Sequence, residues 1–343
     1  MKNITSQKLQ SSTLVYAVFI MVVIAIICSA LILMSYYHNM VYTAYIEKDR
    51  VFSNVKSGIN LLLAEPESIE LGEVVKISLY EGYNDSVELE RKQWGIFELI
   101  KASSSWKNIK HQKIAFSGNY YKTDSSFAIY LADHNKPLSL CGNTKINGNC
   151  YLPKAGVKRA YIEGRNFEGK ELIEGDVGFS QDSLPDIIDG FKNLNLEYFI
   201  QNYLESKQTE KVIAEDLIGD TVCNSFNNST ILVYTADDLL IDDIVLSGNI
   251  VLVCEGTLEV TNSCKFEDIL VCAKSVWIEE GFTGAFQLFA KDTINIGENV
   301  QLNYPSVIGL INDNREGNTS PPIVNFENGS RFLELYIRLA VRR

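Results

Sequence analysis

Four stretches decide the fold: LVYTADDLLI at 232–241, LVCEGTLEV at 252–260, LVCAKSVWI at 270–278 and LFAKDTINI at 288–296. Each is an apolar strand, a polar or Gly corner, and a second strand. The small residues heading the corners are Thr235, Cys254, Cys272 and Ala290, spaced 19, 18 and 18 residues apart, and a further 19 reaches Gly309 in SVIGLI. Self-similarity at a fixed period outranks any local motif in deciding a fold. Period-2 alternation places Leu252 with Cys254, Leu270 with Cys272 and Leu288 with Ala290 on one inward face, and Leu258 with Val260 and Ile294 with Ile296 on the next. One such unit cannot bury its inner face alone. Successive units therefore stack about 4.8 Å apart as coils of a β-solenoid, with Thr235, Cys254, Cys272 and Ala290 as a core ladder. The six-residue pattern of left-handed β-helices is missing, so a right-handed parallel β-helix is expected.

Working outward, 138–164 has short strands broken by Gly and Asn turns and suits the first coil of a solenoid running over 138–343. Within it, 185–207 (PDIIDGFKNLNLEYFIQNYLESK) spaces Ile187, Ile188, Phe191, Leu194, Tyr198, Phe199 and Leu204 as an amphipathic helix, a helical insertion that caps or flanks the coils. The tail RFLELYIRLAVRR suits a final strand or end cap. Residues 66–137, with VVKISLYEGY, VELERKQWGIFELIKA and SFAIYLA, read as a separate β-rich module. The coil length and tight corners over 230–312 resemble the bactofilin family of polymer-forming β-helical scaffolds. That resemblance implies a structural, self-associating role.

At the other end, 13–34 (TLVYAVFIMVVIAIICSALILM) carries no charge, Pro or Gly. About 20 such residues span hydrocarbon, so this is a transmembrane segment. The run is longer than a cleavable signal's apolar region and ends in Ser35-Tyr36-Tyr37, which lacks a small-x-small cleavage site. Ala25-Ile26-Ile27 before Cys28 does not suit a lipoprotein signal either. No breaker follows until Gly58 and Pro66, and Met40, Ala44, Val51, Val55 and Leu62 recur at helical spacing, so one long helix over 12–65 is expected. A hydrophobic helix that leaves the membrane and runs along a globular head resembles type IV pilins and pseudopilins. Those families are processed after a Gly and guided by a Glu, whereas this chain has no Gly before Gly58 and no acidic residue before Glu47. A plain type II signal anchor is therefore the first reading of this helix, and the pilin-like one the second.

Lys2 and Lys8 precede the span, while Lys48 and Arg50 after it are offset by Glu47 and Asp49. This bias makes 1–11 a cytoplasmic N-terminus and puts the C-terminal part on the periplasmic or extracellular side of the cell membrane. Six cysteines beyond the span, an even number, fit an oxidising compartment. Cys141 and Cys150 flank the Gly- and Asn-rich loop GNTKINGN, which leaves a disulfide and two thiols equally open. Cys254 and Cys272 read as core-packing thiols first and as a bridge second.

The net charge of -12 and the lack of a basic stripe argue against a nucleic-acid partner. His38, His111 and His134 stand apart from one another and from any Cys or Asp at ligand spacing, so neither zinc nor histidine catalysis has support. No phosphate loop is present, and no residue set points to a cofactor. Asp237-Asp238 and Asp242-Asp243 read as solvated corners, with calcium ligation the lesser alternative. The sequons at Asn84, Asn228, Asn318 and Asn328 carry little weight. The expectation is mainly β: a transmembrane helix, a β-rich module and a parallel β-helix. The expected protein is a membrane-anchored extracytoplasmic scaffold with protein partners or self-association, such as a minor component of a pilus-like or secretion assembly. A glycan-binding or glycan-cleaving envelope protein and a membrane-tethered cytoplasmic scaffold are the alternatives.

Overall fold

The computed structural model describes residues 12–79, 86–118, 127–162, 164–182, 209–213, 221–313, 323–332 and 336–342. Its backbone divides into two compact units, Met1–Gly118 and Asn119–Arg343. The fold is mainly β, with one long apolar N-terminal helix and a β-solenoid of about 8 turns. The expected N-terminal tail over 1–11 and the helical insertion over 185–207 lie outside the described residues, apart from the tail's neighbour Ser12, where the helix begins.

In the first unit, α1 (Ser12–Ala64) is one unbroken helix. It stops just before Pro66, because a proline disfavours helical backbone in the residue ahead of it; Glu65 accordingly leaves the helical region, at φ -130° and ψ 69°. Four strands follow, β1 (Val74–Ile77), β2 (Val87–Trp94), β3 (Phe97–Trp106) and β4 (Ile109–Ser117), as an antiparallel meander in sequence order. Two-residue turns join β2 to β3 and β3 to β4, and their first residues, Gly95 and Lys107, have φ of 61° and 53°. Positive φ at that position suits the twist of a tight hairpin.

The last turns of α1 repeat buried residues at helical spacing, Val51, Asn54, Val55, Ile59 and Leu62. This stripe lies on Val87, Leu89, Ile100 and Ala102 of the sheet. Each such buried aliphatic side chain stabilises by about 1.5–3 kcal/mol relative to exposure. Gly58 sits in the stripe because a Cβ there would come within 2.8 Å of Leu89 and 2.9 Å of Val87. Met40 and Ala44, expected on the same stripe, are exposed: the sheet begins to cover the helix only at about Glu47.

The second unit begins with short parallel strands. β5 (Ile129–Tyr130), β7 (Cys150–Leu152) and β9 (Val177–Phe179) form one sheet, while β6 (Leu138–Leu140) and β8 (Val157–Arg159) form another. Leu140, Ile146, Cys150, Leu152 and Phe167 are their core. Parallel winding therefore starts at Ile129, ahead of the expected boundary at 137/138, and 127–137 belongs with the second unit.

The clear repeat is built from β10 (Thr209–Ile213), β11 (Thr221–Asn224), β12 (Thr230–Thr235), β13 (Leu239–Ile241), β14 (Val245–Gly248), β15 (Ile250–Val260), β16 (Lys265–Ile278) and β17 (Thr283–Ile296). It continues through β18 (Gln301–Leu302), β19 (Val307–Asp313), β20 (Ile323–Phe326), β21 (Arg331–Phe332) and β22 (Tyr336–Arg342). Every pairing among these strands is parallel, coil onto coil, as β12–β15–β16–β17–β19–β22 shows. The tail thus supplies β21 and β22. On one inward face Leu258, Val276, Ile294 and Val324 form a ladder, and Val260, Ile278, Ile296 and Phe326 form the next. Phe266, Phe282 and Phe286 fill a corner edge to face, with centroids 5.4–5.8 Å apart, the geometry aromatic quadrupoles prefer.

The core ladder needs correction. Cys254 pairs with Thr235 and Ala273, and Ala273 with Ala290, so the inward ladder is Thr235, Cys254, Ala273, Ala290 and Leu310. Cys272 pairs instead with Val253 and Phe289. It lies one residue out of step with Cys254 and so points to the opposite face, as Leu270 does. Gly309 shares that outer row and leaves room for Phe289, whose ring would lie 2.6 Å from a Cβ at that position. Register shifts between Cys254 and Thr257, between Glu267 and Leu270 and between Ala273 and Ser275 accompany the offset. An extra residue in one coil shifts every side chain after it.

Candidate functional site

Beyond the 13–34 span, α1 stays uncharged as far as Ile46, and Tyr36, Tyr37, Met40, Val41, Tyr42, Tyr45 and Ile46 are all exposed. Exposed Ser35, His38, Asn39 and Thr43 are interspersed among them, but apolar side chains clustered this densely on a helix are normally covered. The first charged residues after it mark where the sheet takes hold. Lys107 donates to Glu47 Oε1 at 2.5 Å, the Arg50 guanidinium lies 4.8 Å from the Trp106 ring centroid, and His111 stacks 5.0 Å from Phe52. The bond from Lys107 is the main reason that the Glu47 carboxyl titrates below its usual range. The β3–β4 turn is thereby clamped to the foot of the head-bearing half of α1. A second tie lies at the helix's end: Arg91 donates to Glu98 Oε2 at 2.7 and 3.0 Å, to the Ile69 carbonyl at 2.5 Å, and to the Pro66 carbonyl. Both side chains of this pair are almost fully buried.

In the solenoid the acidic corners are spent on holding coils together. Asp238 Oδ1 accepts from the Thr257 amide at 2.6 Å, and Asp242 Oδ1 accepts from the hydroxyls of Thr261 (2.7 Å) and Ser263 (2.8 Å) in the next coil. Those two hydroxyls draw the Asp242 carboxyl below its ordinary range. Glu279 likewise accepts from the Asn262 amide at 2.8 Å. Among the described residues, no group of three or more His, Cys, Asp or Glu is placed to hold a metal ion.

The cysteines of the two units are all thiols. Cys141 and Cys150 are not bridged: Cys141 follows β6 and is half-buried, whereas Cys150 lies in β7, in a different sheet, inside the core. Burial pushes the Cys150 and Cys254 thiols up, and Cys272, fully enclosed, further still. Such thiols act as small hydrophobes. Cys223 is the exposed one in the solenoid.

Sequence reasoning missed an asparagine ladder. Asn224 Nδ2 donates to the carbonyls of Ser229 (2.7 Å) and Asn249 (2.9 Å), Asn249 Nδ2 donates to the Asn228 carbonyl (2.9 Å), and Thr230 donates to Asn249 Oδ1 (2.9 Å). The Asn228 sequon is thus part of a structural corner; Asn84 and Asn318 lie outside the described residues. Asn224 and Asn249 are 25 positions apart, a longer coil than the repeat period, which hid the correspondence.

No family model matches this chain, and no curated protein or solved structure is detectably similar to it.

Proposed function

We propose that this is a membrane-anchored scaffold of the cell envelope, with α1 crossing the membrane N-terminus inward and both units on the periplasmic or extracellular side, as a minor component of a pilus-like or secretion assembly. One observation carries the proposal: among the described residues one helix is long and apolar enough to cross a bilayer, and the same unbroken helix carries a four-stranded antiparallel sheet on its last turns. The continuous helix makes the anchor and the head one rigid element, which suits transmission of position rather than turnover. The solenoid supports the same reading. Asp238, Asp242 and Glu279 link coil to coil, and stacked parallel coils present regular surfaces for partners. The bactofilin-like resemblance supports the scaffold role alone, and the pilin-like one supports the anchored helix.

The test replaces residues 1–46 by a cleavable export signal. Wild-type chain extracted in mild detergent is expected to migrate well above monomer mass with envelope partners, and the released variant as a folded, soluble monomer. A released variant that cleaves or tightly binds envelope polysaccharide would overturn the scaffold in favour of the glycan-directed alternative.

A further inference from the structure

Resting on the membrane-anchored reading, we infer that the stretch of α1 from Tyr36 to Ile46 packs in parallel against the same stretch of a second copy of this chain, just outside the bilayer. Length sets the first constraint. No Asp, Glu, Lys or Arg occurs between Lys8 and Glu47, and the helical part of that stretch, from Ser12 on, rises roughly 50 Å at 1.5 Å per residue. The hydrocarbon core is about 30 Å thick and the whole bilayer about 40–45 Å. The usual helix tilt of about 20° shortens the rise by only a few ångströms. With 13–34 in the hydrocarbon, Tyr36 and Tyr37 fall at headgroup depth, where tyrosine is favoured. Met40 to Ile46 stand clear of it, some 10–20 Å past the end of the span.

In the first unit nothing covers this segment among the described residues. Tyr36, Tyr37, Met40, Val41, Tyr42 and Tyr45 are 51–67% exposed, on all sides of the helix. Together they offer on the order of 600 Å² of largely apolar surface around the helix, of which one parallel partner covers the part that faces it. Leaving it in water would forfeit about 25 cal/mol for every Å².

Three features select a second copy in parallel. The occupant must itself be uncharged over three helical turns, as this segment is. A copy held by the same span brings that segment to the same height. Directly above, Lys48 and Asp49 are exposed and adjacent, so two parallel helices can pair Lys48 of each with Asp49 of the other, whereas Glu47 and Arg50 are engaged by Lys107 and Trp106 of their own chain.

The experiment uses the full chain in native membranes, with a photoreactive benzophenone amino acid placed singly at Tyr37, Tyr42 or Tyr45, and at exposed Tyr161 of the second unit as control. Irradiation is expected to give a product of twice the chain mass from the three helix positions and none from Tyr161. Adding Tyr42→Lys and Tyr45→Lys is expected to cut the yield at Tyr37 at least tenfold, while the protein stays in the membrane after an alkaline carbonate wash. Adducts to lipid alone, adducts to a different protein, or a dimer yield indifferent to the two lysines would each overturn the inference. Release of the wild-type chain by carbonate would instead sink the anchored reading on which it rests.

Discussion

Single residues carry much of the account, and two make sharp predictions. Gly248 has φ of 88°, and a Cβ there would collide with the Asn224 carbonyl, whose amide side chain heads the asparagine ladder. Gly248→Ala is expected to cost roughly 2–4 kcal/mol, from left-handed backbone strain plus displacement of a buried hydrogen-bonded corner; chemical denaturation of the detergent-solubilised chain measures it. Asp268, at φ of 59°, is half-buried, and burial first, then the neighbouring Glu267, raises its carboxyl pKa. A raised acid pKa means that the charged form is disfavoured in the fold, so its cost is absent at acid pH and grows as pH rises past the unfolded value. Asp268→Asn, which keeps a residue type tolerant of positive φ, is expected to be more stable than wild type at pH 7. The gap should close below about pH 4, where an unfolded aspartate is also protonated; a thermal-melt series over pH reads it. Residue identity was also where the sequence misled. Cys254 and Cys272 look equivalent in LVCEG and LVCAK, yet they lie one step apart and on opposite faces. A register shift leaves no mark in an apolar run such as ILVCA, because both its faces are buried.

At the scale of elements, α1 and the alternating second halves of β15, β16 and β17 were legible because their periodicities are clean: 53 residues of helix with no breaker before Gly58, and strict period 2 at Leu258–Val260 and its successors. The module after α1 was legible as β-rich, but its topology was not. β1 to β4 form a simple meander, but the residues that fix its attachment to α1, Arg91 and Glu98, are charged and read as surface until their burial is seen. Removing one partner of such a buried pair leaves a charge stranded, which typically costs about 3–5 kcal/mol, whereas replacing both with apolar groups is often neutral. Arg91→Ala is therefore expected to lower the unfolding free energy by about that amount, because the carbonyls of Pro66 and Ile69 lose their donor as well. The double change Arg91→Met with Glu98→Leu is expected to recover most of the loss. If the double variant proved no better than the single one in urea titration, the pair would be an organiser of the chain after α1 rather than a local electrostatic contact.

For the whole molecule, the sequence displays the order of parts, anchor then sheet then solenoid, because each has its own hydrophobic period. The boundary between the units was less visible. Ile129 and Tyr130 belong to the winding of the second unit, yet a two-residue strand pairing with Cys150 and Tyr151 has no period of its own to detect. Function at this scale turns on which side of the membrane the two units occupy, and the structure supplies a reporter. Cys223 is an exposed thiol in the solenoid, Cys141 is half-buried and is replaced by Ser throughout, Cys28 lies in the apolar segment, and Cys150, Cys254, Cys264 and Cys272 are buried. The deciding measurement is labelling of Cys223 with a membrane-impermeant maleimide in intact spheroplasts and after lysis, with Cys223→Ser as the blank and a cytoplasmic thiol protein as control. Labelling of Cys223 to the same extent before and after lysis, with the control labelled only after it, is the predicted result for an outward-facing scaffold. Cys223 labelling that appears only on lysis would contradict the account and put both units in the cytoplasm.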